Sequence, residues 1–130
     1  MISPLPSGYV VFRSKGCLYS DSPSDRPMEK RLVTVEFTQD RFAIVRMRNG
    51  QNRLNLIFLD SLNQALNEVE RNTDCKALIT TGEGKFYSNG FDLDWMMSQD
   101  SETVVRFDKA IENTMWRVLH FPLPTVAAIN

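Results

Sequence analysis

Histidine is almost missing from this sequence, and the one present, His120, stands beside Pro122. A His-rich metal site is therefore excluded, and a Ser-His-Asp triad would have to draw on a residue at a helix end. That position suits a helix C-cap better. Cysteine is nearly as scarce. Cys17 and Cys75 form no Cys-x-x-Cys or metal-ligand pattern, so a disulfide framework has no support and a reducing compartment is the simpler expectation. No apolar run approaches the ~20 residues of a bilayer span. Tyr9-Val10-Val11-Phe12 is too short for a signal-peptide core. An excess of either charge is also lacking: 15 basic residues face 16 acidic ones, leaving no global field to favour nucleic acid or an anionic membrane. Gly82-Glu83-Gly84-Lys85 lacks the spacing of a phosphate-binding P-loop, and no glycine follows where a dinucleotide fingerprint needs one. Ser88 has no flanking glycines of the nucleophile-elbow kind and reads as a tight-turn residue.

What is present is an ordinary composition, 42% hydrophobic and 24% charged over 130 residues, enough for one domain with a core. Residues 1–31 are rich in Ser and Pro, with Pro4, Pro6, Pro23 and Pro27 interrupting any helix, and read as a disordered N-terminal extension. Arg13 and Lys15 precede the first acid, but Asp21, Asp25 and Glu29 spoil a transit-peptide pattern. An internal start at Met28 is a second hypothesis for this stretch; a peptide from residues 1–27 in the native protein would rule it out.

From Leu32 onward the periodicities are regular. Val33 to Phe37 and Phe42 to Arg48 alternate and predict a hairpin-like strand pair across Gln39-Asp40-Arg41. Asn49-Gly50 marks a turn. Leu59, Leu62, Leu66 and Val69 then predict a helix over about 57–71 with one core face. Lys76 to Thr81 reads as a strand, and Gly82-Glu83-Gly84 as a turn. A second long helix is expected from Ser101, as N-cap, to Leu119, with Val104, Ile111, Met115 and Val118 inward. Thr125 to Ile129 reads as a further buried strand. Strand, strand, helix, strand, helix, strand is an α/β order.

The stretch with the most chemical content is Gly84-Lys85-Phe86-Tyr87-Ser88-Asn89-Gly90-Phe91-Asp92-Leu93, running from a strand into the first turn of a helix. Ser88 and Gly90 allow a sharp bend and close backbone approach to a ligand. N–H groups without internal partners suit an anion or a developing oxyanion. The block Lys85 to Trp95 resembles the signature loop of the crotonase superfamily, also called the enoyl-CoA hydratase/isomerase family. With Arg53-Leu54-Asn55 upstream and Leu123-Pro124-Thr125-Val126-Ala127-Ala128 downstream, it is most similar to plant-type peroxisomal Δ3,Δ2-enoyl-CoA isomerases. The resemblance runs from about Leu32 to Asn130.

That resemblance implies a crotonase-like stacked ββα fold, with residues 32–130 as the N-terminal half of an enoyl-CoA hydratase/isomerase domain truncated at a buried strand. It implies an acyl-CoA thioester as substrate, shifted between double-bond isomers through an enolate, in fatty-acid β-oxidation. The N–H of Phe91 is the implied oxyanion donor. Arg53, Leu54, Asn55, Ser88, Asn89, Gly90, Phe91, Asp92, Leu93 and Trp95 are the implied substrate-binding residues. Read as residues alone, Arg53 fits a solvated loop equally well, Leu54 the core, and Lys85 a surface charge. Phe86, Tyr87 and Trp95 fit either core or acyl pocket, with Trp95 the best pocket candidate. Asp92 reads as a structural carboxylate at the helix start. No metal and no separate cofactor are implied, coenzyme A being part of the substrate. Family members are usually homotrimers or hexamers, and a peroxisomal address is implied, with mitochondrial or cytosolic as alternatives. The family's second oxyanion donor and its acidic base belong beyond the position of Asn130, so negligible turnover by this chain is expected. Enoyl-CoA hydratase and a non-catalytic acyl-CoA-binding or partner-binding form stand as the alternatives.

Overall fold

A computed structural model describes residues 31–130; the expected N-terminal extension and the Met28 start lie outside the described residues, apart from Arg31. The order is β1 (Val33–Phe37), β2 (Phe42–Met47), α1 (Leu56–Arg71), β3 (Ala77–Gly82), α2 (Leu93–Met97), α3 (Ser101–Leu119) and β4 (Thr125–Ala128). The strands form one sheet in the order β1-β2-β3-β4. β1 and β2 pair antiparallel, whereas β2 with β3 and β3 with β4 pair parallel. The two parallel joins need crossovers, which α1 and the α2–α3 segment provide.

Alternation decides the first hairpin. Val33, Val35 and Phe37 of β1 and Ala43, Val45 and Met47 of β2 all face the core. The turn between them places Arg41 at φ 66°, with its N–H on the Thr38 carbonyl at 3.0 Å. α1 lays Phe58, Leu59, Leu62, Ala65, Leu66 and Val69 along one stripe, so the expected core face is present and is extended by Phe58 and Ala65. Asn55 caps it, its Oδ1 accepting from Phe58 N at 2.9 Å. Full burial of such side chains stabilises by roughly 1.5–3 kcal/mol each. Apart from Leu59, this stripe and the hairpin make one continuous cluster closed by Cys75, Leu78 and Phe121.

Three expectations are corrected at the far end of the chain. Asp100, not Ser101, is the N-cap of α3, its Oδ1 accepting from Thr103 N at 2.7 Å; two good capping residues stand side by side, and the carboxylate reaches the free N–H. Met115 is 47% exposed, and the buried residues of α3 are Phe107 and Thr114. The reason is the partner surface. α1 offers α3 amides rather than hydrocarbon, with Asn63 Nδ2 donating to Thr114 Oγ1 at 2.8 Å and Arg117 donating to Asn63 and Asn67 at 2.7–3.1 Å and to Glu70 at 3.0 Å. The last strand forms where expected but is not buried: all four residues of β4 are exposed. His120 ends α3 as its C-cap, as its position suggested, and stacks on Trp116 at 5.0 Å.

Candidate functional site

Above the sheet, two loops that are 34 or more residues apart in sequence run side by side. The second begins where β3 ends. A Cβ on Gly82 would lie 2.2 Å from the Phe86 carbonyl oxygen, so the loop folds back directly over the strand end, an approach open only to glycine. Tyr87 drops toward the core and its hydroxyl meets Thr80 Oγ1 at 2.7 Å, while Lys85 lies over the Phe86 ring at 5.5 Å. Gly90 has φ +77° and turns the chain toward α2.

Backbone pairing then joins the loops. Leu54 N–H donates to the Gly90 carbonyl at 2.8 Å and Asp92 N–H to the Leu54 carbonyl at 3.0 Å, an isolated parallel bridge with Phe91 at its centre. In that pattern the N–H of the central residue points away from the partner strand. The Phe91 N–H has no acceptor among the described residues. The bridge is flanked by a second lock, because Asn55 Nδ2 donates to Asp92 Oδ2 at 3.0 Å while Asp92 Oδ1 caps α2 by accepting from Trp95 N at 3.2 Å. Asp92 is thus a structural carboxylate, as its position suggested, and both of its oxygens are engaged.

Two clefts adjoin the junction. An apolar cleft of about 220 Å³ is lined by Phe91, Met96, Val104, Val105, Phe107, Asp108 and Ile111. Trp95 stands behind this wall, edge-on to Phe107 at 5.2 Å, and Phe91 meets the same ring at 6.0 Å. A polar cleft of about 350 Å³ is lined by Asn49, Gln51, Arg53 and Asp92. Arg53 is held there by Gln51 Oε1 at 2.8 Å and Asp94 Oδ2 at 3.3 Å. Asn89 reaches the same loop, its side chain donating to Gln51 Oε1 at 3.1 Å. Ser88 Oγ donates to the Asn52 carbonyl, Leu54 packs against the core cluster, and Leu93 opens α2 largely exposed. An N–H without an acceptor, on a residue that lines an apolar cleft, can receive a carbonyl oxygen.

The match to known proteins follows the same segment. A family model described as enoyl-CoA hydratase/isomerase covers residues 38–130. The chain belongs to the enoyl-CoA hydratase/isomerase family. Among curated members, a peroxisomal enoyl-CoA delta isomerase 1 of Arabidopsis thaliana is 36% identical over 95 residues, 71% of this chain and 39% of its own length. A putative enoyl-CoA hydratase of Thermus thermophilus is 36% identical over 106 residues, 79% of this chain and 39% of its own. The chain therefore spans well under half the length of these relatives. A solved enoyl-CoA hydratase from Bacillus anthracis superimposes with a TM-score of 0.70 at 26% identity, covering 76% of this chain and 40% of that one. The crotonase-like fold expected from the signature loop is thereby shown.

In this family member, the residues named from sequence fall together: Arg53, Leu54 and Asn55 on one loop lie against Ser88 to Leu93 on the other. Trp95 is adjacent but does not line the apolar cleft. Sequence reasoning missed three residues. Phe107 and Asp108 line the apolar cleft from α3, and the i, i+7 pair Phe107 and Thr114 would have signalled the buried face. Asn52, 0% exposed, sits between the loops; its one sequence signal is an asparagine two residues after Gly50, in a turn where asparagine tolerates left-handed backbone.

Proposed function

We propose that this sequence forms the thioester-binding part of an enoyl-CoA isomerase that moves the double bond of a 3-enoyl-CoA to the 2-position during unsaturated fatty-acid β-oxidation. The supporting observation is the Phe91 N–H, without an acceptor among the described residues and fixed by the Leu54 bridge at the edge of an apolar cleft. Removing an α-proton from an enoyl thioester puts negative charge on the carbonyl oxygen. A preorganised N–H at that oxygen stabilises the enolate without rearrangement, and one such donor is worth about 3 kcal/mol. The acyl chain lies in the apolar cleft against Phe91, Val104 and Ile111, and the coenzyme A arm leaves through the polar cleft past Arg53. No separate cofactor takes part in such a reaction. The name of the Arabidopsis relative supports both the isomerase reading and a peroxisomal setting.

The two acids that follow Phe91 in the chain are committed elsewhere, Asp92 to capping and Asp94 to Arg53. We assign neither of them the proton transfer. A hydratase is the second reading, favoured by the equal identity to the Thermus protein. One pair of assays separates the readings. Gain of conjugated-thioester absorbance from a 3-enoyl-CoA marks an isomerase, and its loss from a 2-enoyl-CoA marks a hydratase. Binding with neither marks the non-catalytic form, and a chain that binds no acyl-CoA at all overturns the proposal.

A further inference from the structure

Asn52 and Thr114 are the two buried polar residues among those described, and only Asn52 has no role in packing one helix on another. It has φ +50°, a left-handed conformation that asparagine adopts more readily than most side-chain-bearing residues. Its amide donates to two carbonyls of the opposite loop, Phe86 O and Tyr87 O, each at 3.0 Å. Its Oδ1 accepts from Asn49 N at 2.8 Å, and its own carbonyl accepts from Ser88 Oγ at 2.8 Å. Ser88 Oγ in turn accepts from Gly90 N at 3.3 Å, one residue before Phe91.

We propose that Asn52 is the positioning residue for the Phe91 N–H, holding the Phe86 to Gly90 loop in the one course that sets that donor at the edge of the apolar cleft. The inference rests on reading Phe91 as the oxyanion donor and adds the residue that fixes its direction. Hydrogen bonds are directional, and both N–H groups of the amide are used on carbonyls that would otherwise be left without partners beneath the loop. Gly82 supplies the floor on which the Phe86 carbonyl rests, and Asn52 supplies the clamp on that same oxygen. The residues flanking Asn52, Gln51 and Arg53, line the polar cleft, so the clamp also ties that cleft to the oxyanion donor.

The test uses the full 130-residue chain with Asn52→Asp and Asn52→Gly. Asn52→Asp keeps the shape and the acceptor for Asn49 N but turns a carboxylate oxygen on two carbonyls. Asn52→Gly keeps the left-handed backbone accessible and removes the clamp. Residue-resolved amide exchange is expected to speed up about 10-fold or more at Leu54, Asn89 and Asp92, whose N–H groups are hydrogen-bonded across the junction, in both variants, with Val45 and Leu78 little changed. Binding of a saturated acyl-CoA is expected to weaken by a similar factor, with the bound thioester carbonyl stretch returning toward its free frequency. Unchanged exchange in the loop, or a uniform rise at every amide, would overturn the proposal. If Asn52→Asp does not fold, Asn52→Gly alone decides it. A wild-type chain that binds no acyl-CoA would remove the functional reading of Phe91, while the exchange pattern would still decide whether Asn52 holds the loop.

Discussion

Leu66 and Asn52 are equally buried, 0% exposed each, and are surrounded by opposite chemistry. Leu66 lies in the apolar cluster between α1 and the hairpin, where contact area matters and direction matters little. Asn52 lies between two loops joined by hydrogen bonds, where each partner must be met at an angle as well as a distance. The body of the fold needs only to be filled. On the proposed function the loop junction has to aim an N–H at a carbonyl oxygen, and the chain uses Asn52, Asn55, Ser88 and Asp92 there in place of hydrocarbon. Stability and function are thus built from different interactions a few residues apart, and substitutions should separate them.

The largest effect on stability is expected from the body. Leu66→Ala should cost about 2–5 kcal/mol in urea denaturation, through lost transfer energy and the cavity left behind. Where enough folded protein survives, junction amides should keep their protection relative to one another. Gly82→Ala couples the two regions, because the new methyl group meets the Phe86 carbonyl. A loss of about 1–3 kcal/mol is expected, together with faster exchange at Asn89 and Gly90, whose N–H groups are hydrogen-bonded. A Gly82→Ala protein with an unmoved loop would contradict the close seat described here. Asp92→Ala removes the α2 cap and the bond from Asn55, for about 1 kcal/mol of stability; acyl-CoA affinity should fall by more than that, measured by calorimetric titration. Arg53→Ala should change stability by no more than about 0.5 kcal/mol, since its ion pair with Asp94 is exposed. Its effect should appear in binding, as weaker affinity for a coenzyme A thioester and a shallower dependence on salt.

The smallest expected effect lies outside both regions. Asp100 is held below the ordinary carboxylate value of 3.8, chiefly by the Thr103 backbone N–H and then by the Thr103 side chain. A depressed folded pKa means that the contribution is present above the unfolded value and is lost as pH falls from about 3.8 through the folded value. Asp100→Asn, which keeps the cap but not the charge, should therefore shift the denaturation midpoint at pH 7 more than at pH 3. An equal shift at both would show that the charge of Asp100 adds nothing to the cap.

The strands β1 and β2 and the stripe of α1 were legible because each is a local period matched by the side chains themselves. The signature loop was legible because its residues resemble a known family's, and the structure sets that loop beside Arg53, Leu54 and Asn55. Asn52 was not legible. Its importance comes from carbonyls 34 and 35 residues away, and nothing in the local sequence announces them. The inward face of α3 was misjudged at Met115 for a similar reason: the surface it meets is the amide row of α1, so Thr114 and Arg117 turn inward. β4 was recognised as a strand from its β-rich sequence, but burial belongs to its neighbours, and it is exposed along its length.

The central claim is that the junction presents the Phe91 N–H to an acyl thioester. The most direct measurement is an amide chemical-shift titration of the 15N-labelled chain with a saturated acyl-CoA. The account predicts that the Phe91 amide shows one of the largest shifts, accompanied by Arg53 and by the amides lining the apolar cleft, Val104 and Ile111. Saturable binding that leaves Phe91 unmoved, or shifts confined to the exposed β4 and the outer face of α3, would contradict it.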